Sequence, residues 1–387
     1  MYDADTSFIY QAPTRLVYGV GTIAELAAEL EAIGGQKAVL VTDKFLREQT
    51  DLADKAQKGL GTRFAGVFDG TEPDASFASI AAGYEAAKAM GADSVVSLGG
   101  GSAMDTGKAI AMLLAHGGEL MDHEGVHTLP GSIVPHICVP TTAGTGSEVS
   151  YVFIAKDKKN LRKHIFCDFN LTPPVAILDP ELSVGLPNHL TAATALDALT
   201  HAIAAMQAQQ RQPMADMYGR EAISRIATYL PRAMADNGDL QARGELLLGA
   251  TMAGVAFSNA QVGLVHAMAH AVGARHGVHH GLANAICLPH VIRFNAETCP
   301  SVYADCAKAF GMAPSGEGDL ADTMRFADRL EALLVEVGLP TRLSEVGVPE
   351  DDLETCAGLA TEDGSIIYNA RFAMMPDLVL AVFKAAF

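Results

Sequence analysis

The stretch SVVSLGGGSAMDTGK, residues 94–108, indicates the fold class of the first half of the chain. Ser94–Leu98 is short, apolar and rich in valine, which is typical of a buried strand. Three glycines follow, and residues 103–114 show a helical pattern, so the stretch predicts a tight turn from a strand into a helix. Backbone N–H groups and a helix N-terminus then meet at one point, which suits a bound phosphate.

This loop departs from the common phosphate-binding motifs. The Gly-Lys-Ser/Thr ending of a Walker A loop is absent, and Met104 stands where the usual dinucleotide fingerprint has a third glycine or alanine. From the loop alone, the alternative to a phosphate-binding site is a tight turn that binds no ligand.

The alternation of strands and helices continues on both sides of this stretch. Short apolar runs predict further strands over 37–43, 137–140 and 175–178, and helical patterns lie over 22–33 and 76–90. Such alternation predicts a parallel sheet covered by helices on both faces. From about Thr191 onward the chain shows long Ala- and Leu-rich helical patterns instead. We expect an α/β domain over 1–186 and an all-helical domain over 187–387.

Composition limits the partners and the compartment. The 387 residues include 27 Lys and Arg against 45 Asp and Glu, a net charge of −18, which disfavours nucleic acid and membrane surfaces. Residues 246–274 contain no Asp, Glu, Lys or Arg, but their polar side chains favour buried helices over a membrane span. Six cysteines without a CxxC pair, and an N-terminus without an apolar leader, predict a cytoplasmic protein with reduced thiols.

Two further features suit a nucleotide. Asp43 ends the first of these predicted strands, where a carboxylate can accept hydrogen bonds from ribose hydroxyls and would repel the 2′-phosphate of NADP. The alternative is a carboxylate that only stabilises a turn. Residues 140–148, PTTAGTGSE, place four hydroxyls and two glycines after another predicted strand, and a capping cluster is the alternative there. Residues 19–24 match the looser G-x-G-x-x-A pattern, which is too short to be specific.

Histidines concentrate in the helical half of the chain. Two pairs have the i, i+4 spacing that places both side chains on one helix face: Asp197 with His201, and His266 with His270. Three more histidines follow closely: His276, His279 and His280. Several imidazoles and one carboxylate suit Fe(II), Zn(II) or a similar divalent ion. The spacing predicts a metal site but does not say which histidines bind.

Together these blocks resemble the iron-dependent, or group III, alcohol dehydrogenases, which include lactaldehyde and propanediol oxidoreductases. The resemblance covers essentially the whole chain, and its specific parts are the blocks at 99–108, 140–148, 197–201 and 266–290. It implies a dehydroquinate synthase-like architecture, with an N-terminal α/β nucleotide-binding domain and an all-helical C-terminal domain. The metal and the substrate would lie in a cleft between the two.

The resemblance also implies roles for individual residues. The four metal ligands would be Asp197, His201, His266 and His280. His270 would be the proton-relay residue near the nicotinamide. The glycine loop would hold the pyrophosphate, and the expected cofactor residues are Asp43, Gly99, Gly100, Gly101, Ser102, Asp105, Thr141, Thr142, Thr145, Ser147 and Lys163.

Two positions depart from the family pattern. His279 stands where the family usually has proline, and Ala204 stands where an acidic residue is usual. His279 could therefore compete for the metal. Because adjacent residues of a helix point about 100° apart, we expect His280 to be the ligand.

The implied activity is hydride transfer between NAD(H) and a small primary alcohol or diol, giving the aldehyde, with one divalent metal. Fe(II) is the expected metal and Zn(II) the alternative, and relatives suggest a homodimer or a larger homo-oligomer. A lyase of the dehydroquinate synthase type is the alternative enzyme, but it would need several Lys and Arg around an anionic substrate. Residues 246–274 and 276–292 contain none. A metal-storage protein, the third alternative, would not need the glycine loop.

Overall fold

The computed structural model describes Tyr2 and residues 6–387 of the chain. The chain forms two compact units. The α/β unit comprises Ala12–Thr142 and Gly146–Val184, and the described residues of the helical unit are Tyr2, 6–11, Ala143–Thr145 and Gly185–Phe387. The boundary expected between 186 and 187 lies close to the start of the long helical segment. The two short segments of the helical unit were not expected, because neither has a helical pattern of its own.

The α/β unit consists of short strands and the helices that connect them. Its strands are β1 (Arg15–Tyr18), β2 (Ala38–Val41), β3 (Phe64–Phe68), β4 (Ser94–Gly99), β5 (Gly125–Val126), β6 (His136–Pro140), β7 (Val152–Asp157), β8 (Arg162–Cys167) and β9 (Val175–Leu178). Its α-helices are α1 (Leu26–Ala32), α2 (Lys44–Gln49), α3 (Leu52–Leu60), α4 (Phe77–Ala89) and α5 (Gly101–His116).

The main sheet has the strand order β1-β9-β6-β4-β2-β3, and all its pairings are parallel. Every residue of β2, β4, β6 and β9 is buried, which explains their continuous apolar sequences. The predicted parallel α/β class is confirmed. Because β4 and β6 are neighbours, the loops that follow Gly99 and Pro140 leave the sheet at the same edge.

The structure differs from the sequence prediction in local detail. The segment 22–33 begins as a 3-10 turn, Thr22–Glu25, before α1, and α5 begins at Gly101 rather than at Ala103. A second sheet, β5-β8-β7, was not predicted. In β7 and β8, charged side chains interrupt the apolar alternation, so the pattern of this antiparallel pair is weak in sequence.

The helical unit packs its helices around one apolar core. Its α-helices are α6 (Asn188–Gln207), α7 (Pro213–Ala235), α8 (Leu240–Ala260), α9 (Leu264–His276), α10 (His280–Asn295), α11 (Pro300–Ala309), α12 (Asp319–Glu336), α13 (Leu353–Glu362) and α14 (Pro376–Ala386). Helix α6 is buried from Thr191 to Gln207. It forms the centre of the unit, which explains why it is apolar all round.

The stretch 246–274 forms most of α8 and α9, and the majority of its side chains are buried, as expected. Gln261, with φ 71°, ends α8, and the two helices are bent by 107° at this break. Within the described residues, no single helix has the length and apolar composition for a membrane crossing; α8 and α9 meet that test only as a bent pair.

Candidate metal centre and nucleotide-binding loops

Four side chains of the helical unit converge on one point. Asp197, His201, His266 and His280 each offer a ligand atom, and these atoms all lie within 4.8 Å of one another. The rings of His201 and His266 are stacked with centroids 4.7 Å apart, and those of His266 and His280 are 5.7 Å apart. These are the four residues that the resemblance implies as metal ligands.

Three helices supply this cluster. Asp197 and His201 lie one turn apart on α6, His266 lies in the first turn of α9, and His280 begins α10. Gly281 allows α10 to approach α6 closely, because a Cβ there would lie 2.4 Å from the Ala193 carbonyl oxygen. The same Cβ would lie 2.9 Å from Cβ of Asp197. A glycine after His280 is therefore a steric requirement of the cluster.

The electrostatics of the cluster suit a cation. Burial lowers the pKa of His201 and lowers that of His266 well below its usual value, so both imidazoles are neutral, the form that binds metals. Within the described residues, Nδ1 of His201 and both ring nitrogens of His266 are buried without a hydrogen-bond partner. Because unpaired buried polar atoms are costly, these nitrogens fit a bound metal ion.

Asn284 supports the carboxylate of the cluster and was not predicted. Its Nδ2 donates to Oδ1 of Asp197 at 2.8 Å and lies 3.2 Å from Nε2 of His280. It is one helical turn after His280, so the i, i+4 spacing used for the histidines would also have found it. Such outer contacts orient metal ligands.

His270 and Asp363 form a pair beside the cluster. The ring of His270 is stacked on that of His280 with centroids 5.2 Å apart, and its Nδ1 lies 2.8 Å from Oδ2 of Asp363. A carboxylate only accepts hydrogen bonds, so Nδ1 carries the proton and Nε2 is left as the basic nitrogen. Burial raises the pKa of Asp363, but its electrostatic interaction and hydrogen bond with His270, together with hydrogen bonds from Ser365, outweigh burial and lower the pKa to about 2.

Asp363 was not predicted from the sequence, because it lies 93 residues after its partner His270. No spacing rule connects the two residues, and only the packing of the chain brings them together. His279, the possible competitor for the metal, is exposed, and it lies outside the four-residue cluster.

A second group of ligand-type side chains lies at the other end of α9. His276, Asp352 and Cys356 also lie within 4.8 Å of one another. Arg275 contacts both oxygens of Asp352, and its Nη2 donates at 2.7 Å. The carboxylate is therefore already neutralised, and this group is an ion-pair network rather than a cation site.

The glycine loop joins β4 to α5 as predicted. Gly99 has φ 149°, a conformation that favours glycine, and Gly100 is the N-cap residue of α5. Gly101 and Ser102 therefore lie in the first turn, where N–H groups have no acceptor within the helix. A Cβ at Gly100 would lie 3.2 Å from the hydroxyl of Thr142. The backbone can thus approach a phosphate closely at this loop.

Asp105 and Ser147 hold the two polar loops together. The Ser147 hydroxyl donates to Asp105 at 2.7 Å, and the Ile154 N–H donates to the same carboxylate at 3.1 Å. Asp105 lies on α5, Ser147 belongs to the second polar loop, and Ile154 lies on β7. Asp105 therefore binds protein groups directly, which is a structural role that the sequence did not indicate.

Lys108 is a buried cation that the sequence analysis did not assign. It is fully buried, and its Nζ donates to the carbonyls of Ser150 and Val152 at 2.9 and 2.8 Å. Burial lowers the pKa of Lys108, opposed by the charge of Asp105, and burial raises the pKa of Asp105, opposed by Lys108. The two residues anchor the segment after the second polar loop to α5.

The remaining expected cofactor residues lie in different surroundings. Asp43 is the N-cap residue of α2 and accepts from the Leu46 N–H at 2.9 Å, so the turn-stabilising alternative describes one of its contacts. The Thr141 N–H donates to the Gly99 carbonyl at 3.0 Å, next to the glycine loop. Thr145 belongs to the helical unit. Lys163 lies on β8, and its Nζ is 3.0 Å from Asp74.

Comparison with known proteins identifies the family. The model of the family described as "Iron-containing alcohol dehydrogenase" matches residues 13–180, and that of the "Fe-containing alcohol dehydrogenase family, C-terminal" matches 191–387. The chain is 37% identical over 377 residues to the NAD-dependent methanol dehydrogenase of Bacillus methanolicus, covering 96% of this chain and 98% of the relative. It is 36% identical over 367 residues to the lactaldehyde reductase of Escherichia coli strain K12, covering 94% and 95%.

A solved structure agrees with these matches. The crystal structure of 1,3-propanediol oxidoreductase superposes with a TM-score of 0.95 at 35% identity, covering 99% of this chain and 100% of that chain. The family models together span most of the chain, and the relatives exceed 30% identity along nearly its whole length. The protein belongs to the family of iron-containing alcohol dehydrogenases.

Proposed function

We propose that this protein interconverts a small primary alcohol or diol and its aldehyde by hydride transfer with NAD(H), using one divalent metal. The observation that carries the proposal is the cluster of Asp197, His201, His266 and His280 with the His270–Asp363 pair beside it. The relatives are named as dehydrogenases or reductases of methanol, 1,3-propanediol and lactaldehyde, which supports a compact substrate.

Three imidazoles and one carboxylate fit Fe(II), which we propose as the resident metal, with Zn(II) as the alternative. When bound, the metal supplies Lewis acidity toward the substrate oxygen and the nicotinamide supplies the hydride acceptor or donor. The chain contributes the neutral imidazoles of His201 and His266, and Asn284, which orients Asp197.

His270 is the group proposed to move the proton. Asp363 holds the proton of His270 on Nδ1, so Nε2 is the atom that takes a proton from the alcohol or returns one to it. Within the described residues, this Nε2 is buried and makes no hydrogen bond with protein. The side chain is thus oriented in advance, and its basic nitrogen is left for the reaction.

The dinucleotide is proposed to lie along the glycine loop and the second polar loop. The cofactor residues are those that the resemblance implies, with Gly101 and Ser102 offering N–H groups and Lys163 a positive charge. Asp43 at the end of β2 would repel a 2′-phosphate, so we propose NAD rather than NADP.

The lyase alternative is not favoured. The family models and the relatives are those of alcohol dehydrogenases, and helix α9 between His266 and Ala274 carries no Lys or Arg that would bind an anionic substrate. A metal-storage role would not require the glycine loop.

A homo-oligomeric, cytoplasmic enzyme is the proposed form. Strand β1 is at an edge of the main sheet, and the apolar side chains of Leu16, Tyr18 and Val20 on and beside it are 44%, 46% and 56% exposed, which suits an interface between copies. All six cysteines are free, in keeping with a reducing compartment. Sedimentation at equilibrium would give the number of subunits.

The proposed activity is tested by anaerobic reconstitution of the metal-stripped protein with Fe(II) or Zn(II). NADH consumption is then followed with short aldehydes, including methanal, lactaldehyde and 3-hydroxypropanal. We expect turnover only with metal, and none from a His280→Ala variant. Metal and NADH binding without turnover of any carbonyl compound would contradict the dehydrogenase function.

A further inference from the structure

Asp74 contacts two of the expected cofactor residues at once. Its backbone N–H donates to the Ser102 hydroxyl at 3.0 Å, and its Oδ1 lies 3.0 Å from Nζ of Lys163. Its other oxygen, Oδ2, lies 3.2 Å from Nζ of Lys156. One aspartate therefore joins the glycine loop to the lysine that the resemblance places near the cofactor.

The charge balance of this group matters because the side chains are largely buried. Lys163 is only 6% exposed, Lys156 14% and Asp74 25%. A buried ammonium group needs a counter-ion, and Asp74 pairs directly with Lys163, while Asp105 acts on it electrostatically. A phosphate group of a bound dinucleotide is the other anion that Lys163 could pair with, and both anions cannot hold it equally well.

The backbone of Asp74 is held independently of its carboxylate. Asp74 and Ala75 both have positive φ, 64° and 47°, which is uncommon outside glycine. The Lys156 N–H lies 3.2 and 3.3 Å from their carbonyl oxygens, and the Ala75 N–H donates to the Glu72 carbonyl at 3.1 Å. Removing the carboxylate should therefore leave the loop and its N–H contact to Ser102 in place.

We propose that Asp74 competes with the dinucleotide phosphates for Lys163, and so weakens cofactor binding. On binding, Lys163 exchanges its Asp74 partner for a phosphate oxygen, while Asp74 keeps Lys156 and is never left unpaired. On release, Asp74 takes Lys163 back. Asp74 is thus a residue that sets dinucleotide affinity, and this inference rests on the proposed NAD(H)-dependent function.

The test is calorimetric titration of the purified full-length protein with NADH, without alcohol or aldehyde. Asp74→Asn keeps the shape of the side chain and a residue type that tolerates positive φ, and we expect its Kd to fall about three- to tenfold. Asp74→Gly removes the carboxylate without backbone strain and should also bind more tightly, which provides a second variant if the first folds poorly.

The matched control is Glu72→Gln. Glu72 lies in the same loop and carries the same charge, but it pairs with Lys158 at 3.0 Å and with Ser76, not with Lys163. Its Kd for NADH should stay within about twofold of the parent protein. In a Lys163→Gln background, Asp74→Asn should no longer tighten NADH binding, because the ammonium group for which Asp74 and the phosphates compete is absent.

The Kd values of these variants for NADH distinguish the competition from its alternatives. Unchanged or weaker binding by folded Asp74→Asn, equal tightening by Glu72→Gln, or tightening that persists in the Lys163→Gln background would overturn the competition. If the parent protein does not bind NADH, the proposed function fails as well. Binding by the parent without tightening by the Asp74 variants overturns this inference alone.

Discussion

The metal cluster and the nucleotide-binding loops are built in opposite ways. The cluster places three histidines and one carboxylate on three helices, and the ligand atoms lie within 4.8 Å of one another. The loops of the α/β unit depend on glycine backbone and on charged side chains that bind other protein groups, such as Asp105 with Ser147. In the cluster, three helices packed against one another position the ligands, whereas in the loops side-chain hydrogen bonds do. Substitutions in the two regions should therefore fail in different ways.

The largest effect is expected from His266→Ala, which removes the ligand whose two ring nitrogens have no partner among the described residues. Activity should fall more than about 100-fold, because side chains that only support metal ligands are already worth about 10- to 100-fold. Elemental analysis should show loss of bound metal, while the Kd for NADH stays within about twofold. His276→Ala, on the same helix but in the Arg275–Asp352 network, should retain the metal. Full metal occupancy in His266→Ala would contradict the assigned cluster.

Gly281→Ala tests the helix packing behind the metal cluster without removing a ligand. The added Cβ would lie 2.4 Å from the Ala193 carbonyl, which must push α10 away from α6 and displace His280 from Asp197. We expect metal affinity to fall about 10- to 100-fold, measured by competition with a chelator.

Gly358→Ala is the control for that substitution. It lies in helix α13 of the same unit, and its Cβ would meet nothing within 4 Å. It should leave metal affinity unchanged and raise helix stability slightly. Equal metal affinity in the two variants would show that the close approach of α10 is not required.

Lys108→Met should damage the nucleotide-binding loops and leave the metal cluster intact. It removes the donor to Ser150 and Val152 and leaves their buried acceptors without it. The free energy of unfolding should fall by about 2–4 kcal/mol, and NADH affinity should fall about tenfold because the second polar loop loses its anchor. Denaturant unfolding and calorimetry measure the two effects. Lys88→Met, an exposed lysine of α4, is the control, and a similar loss there would refute the anchoring role.

Asp363→Asn is expected to have the smallest effect. Asparagine can still accept from Nδ1 of His270 but carries no charge to stabilise the protonated ring. We expect kcat to fall about tenfold, with bound metal and the Kd for NADH unchanged. Asp352→Asn, which removes the charge from the similar contact of Asp352 with His276, should leave kcat within about twofold. A change in metal content of Asp363→Asn would mean that Asp363 supports the metal ligands instead of the relay.

The sequence predicted the fold wherever one local pattern specifies one element. The buried strands β2, β4, β6 and β9 are continuous apolar runs, and the helices of the second half repeat every three to four residues, so periodicity was enough. The β7–β8 pair was not predicted, because its charged residues interrupt the alternation of apolar and polar side chains. The 3-10 turn Thr22–Glu25 before α1 was not predicted, because hydrophobic periodicity does not distinguish a 3-10 turn from the first turn of an α-helix.

The residues of the candidate site also fall into those that local spacing predicts and those whose contacts appear only in the folded chain. Spacing placed Asp197 with His201 on one helix face, but the choice of His280 over His279 came from the family resemblance. Asp363 and Asp74 were not predicted because each acts through a partner on another element. Asn284 was not predicted either, although its i, i+4 spacing from His280 is visible in the sequence. The carboxylate of Asp105 was expected near the pyrophosphate, and its contacts with Ser147 and Ile154 were visible only in the folded chain.

The fold class, the strand-to-helix glycine loop and the histidine-rich helices follow from local sequence patterns, because backbone conformation and burial depend on patterns a few residues long. Which of those side chains meet depends on how the elements pack together. The four-residue cluster joins residues up to 83 positions apart, from Asp197 to His280, and the His270–Asp363 pair joins residues 93 apart. Such distances along the chain are closed by packing of whole helices, which no local pattern encodes. The same holds for Lys163, whose partner Asp74 lies 89 residues earlier.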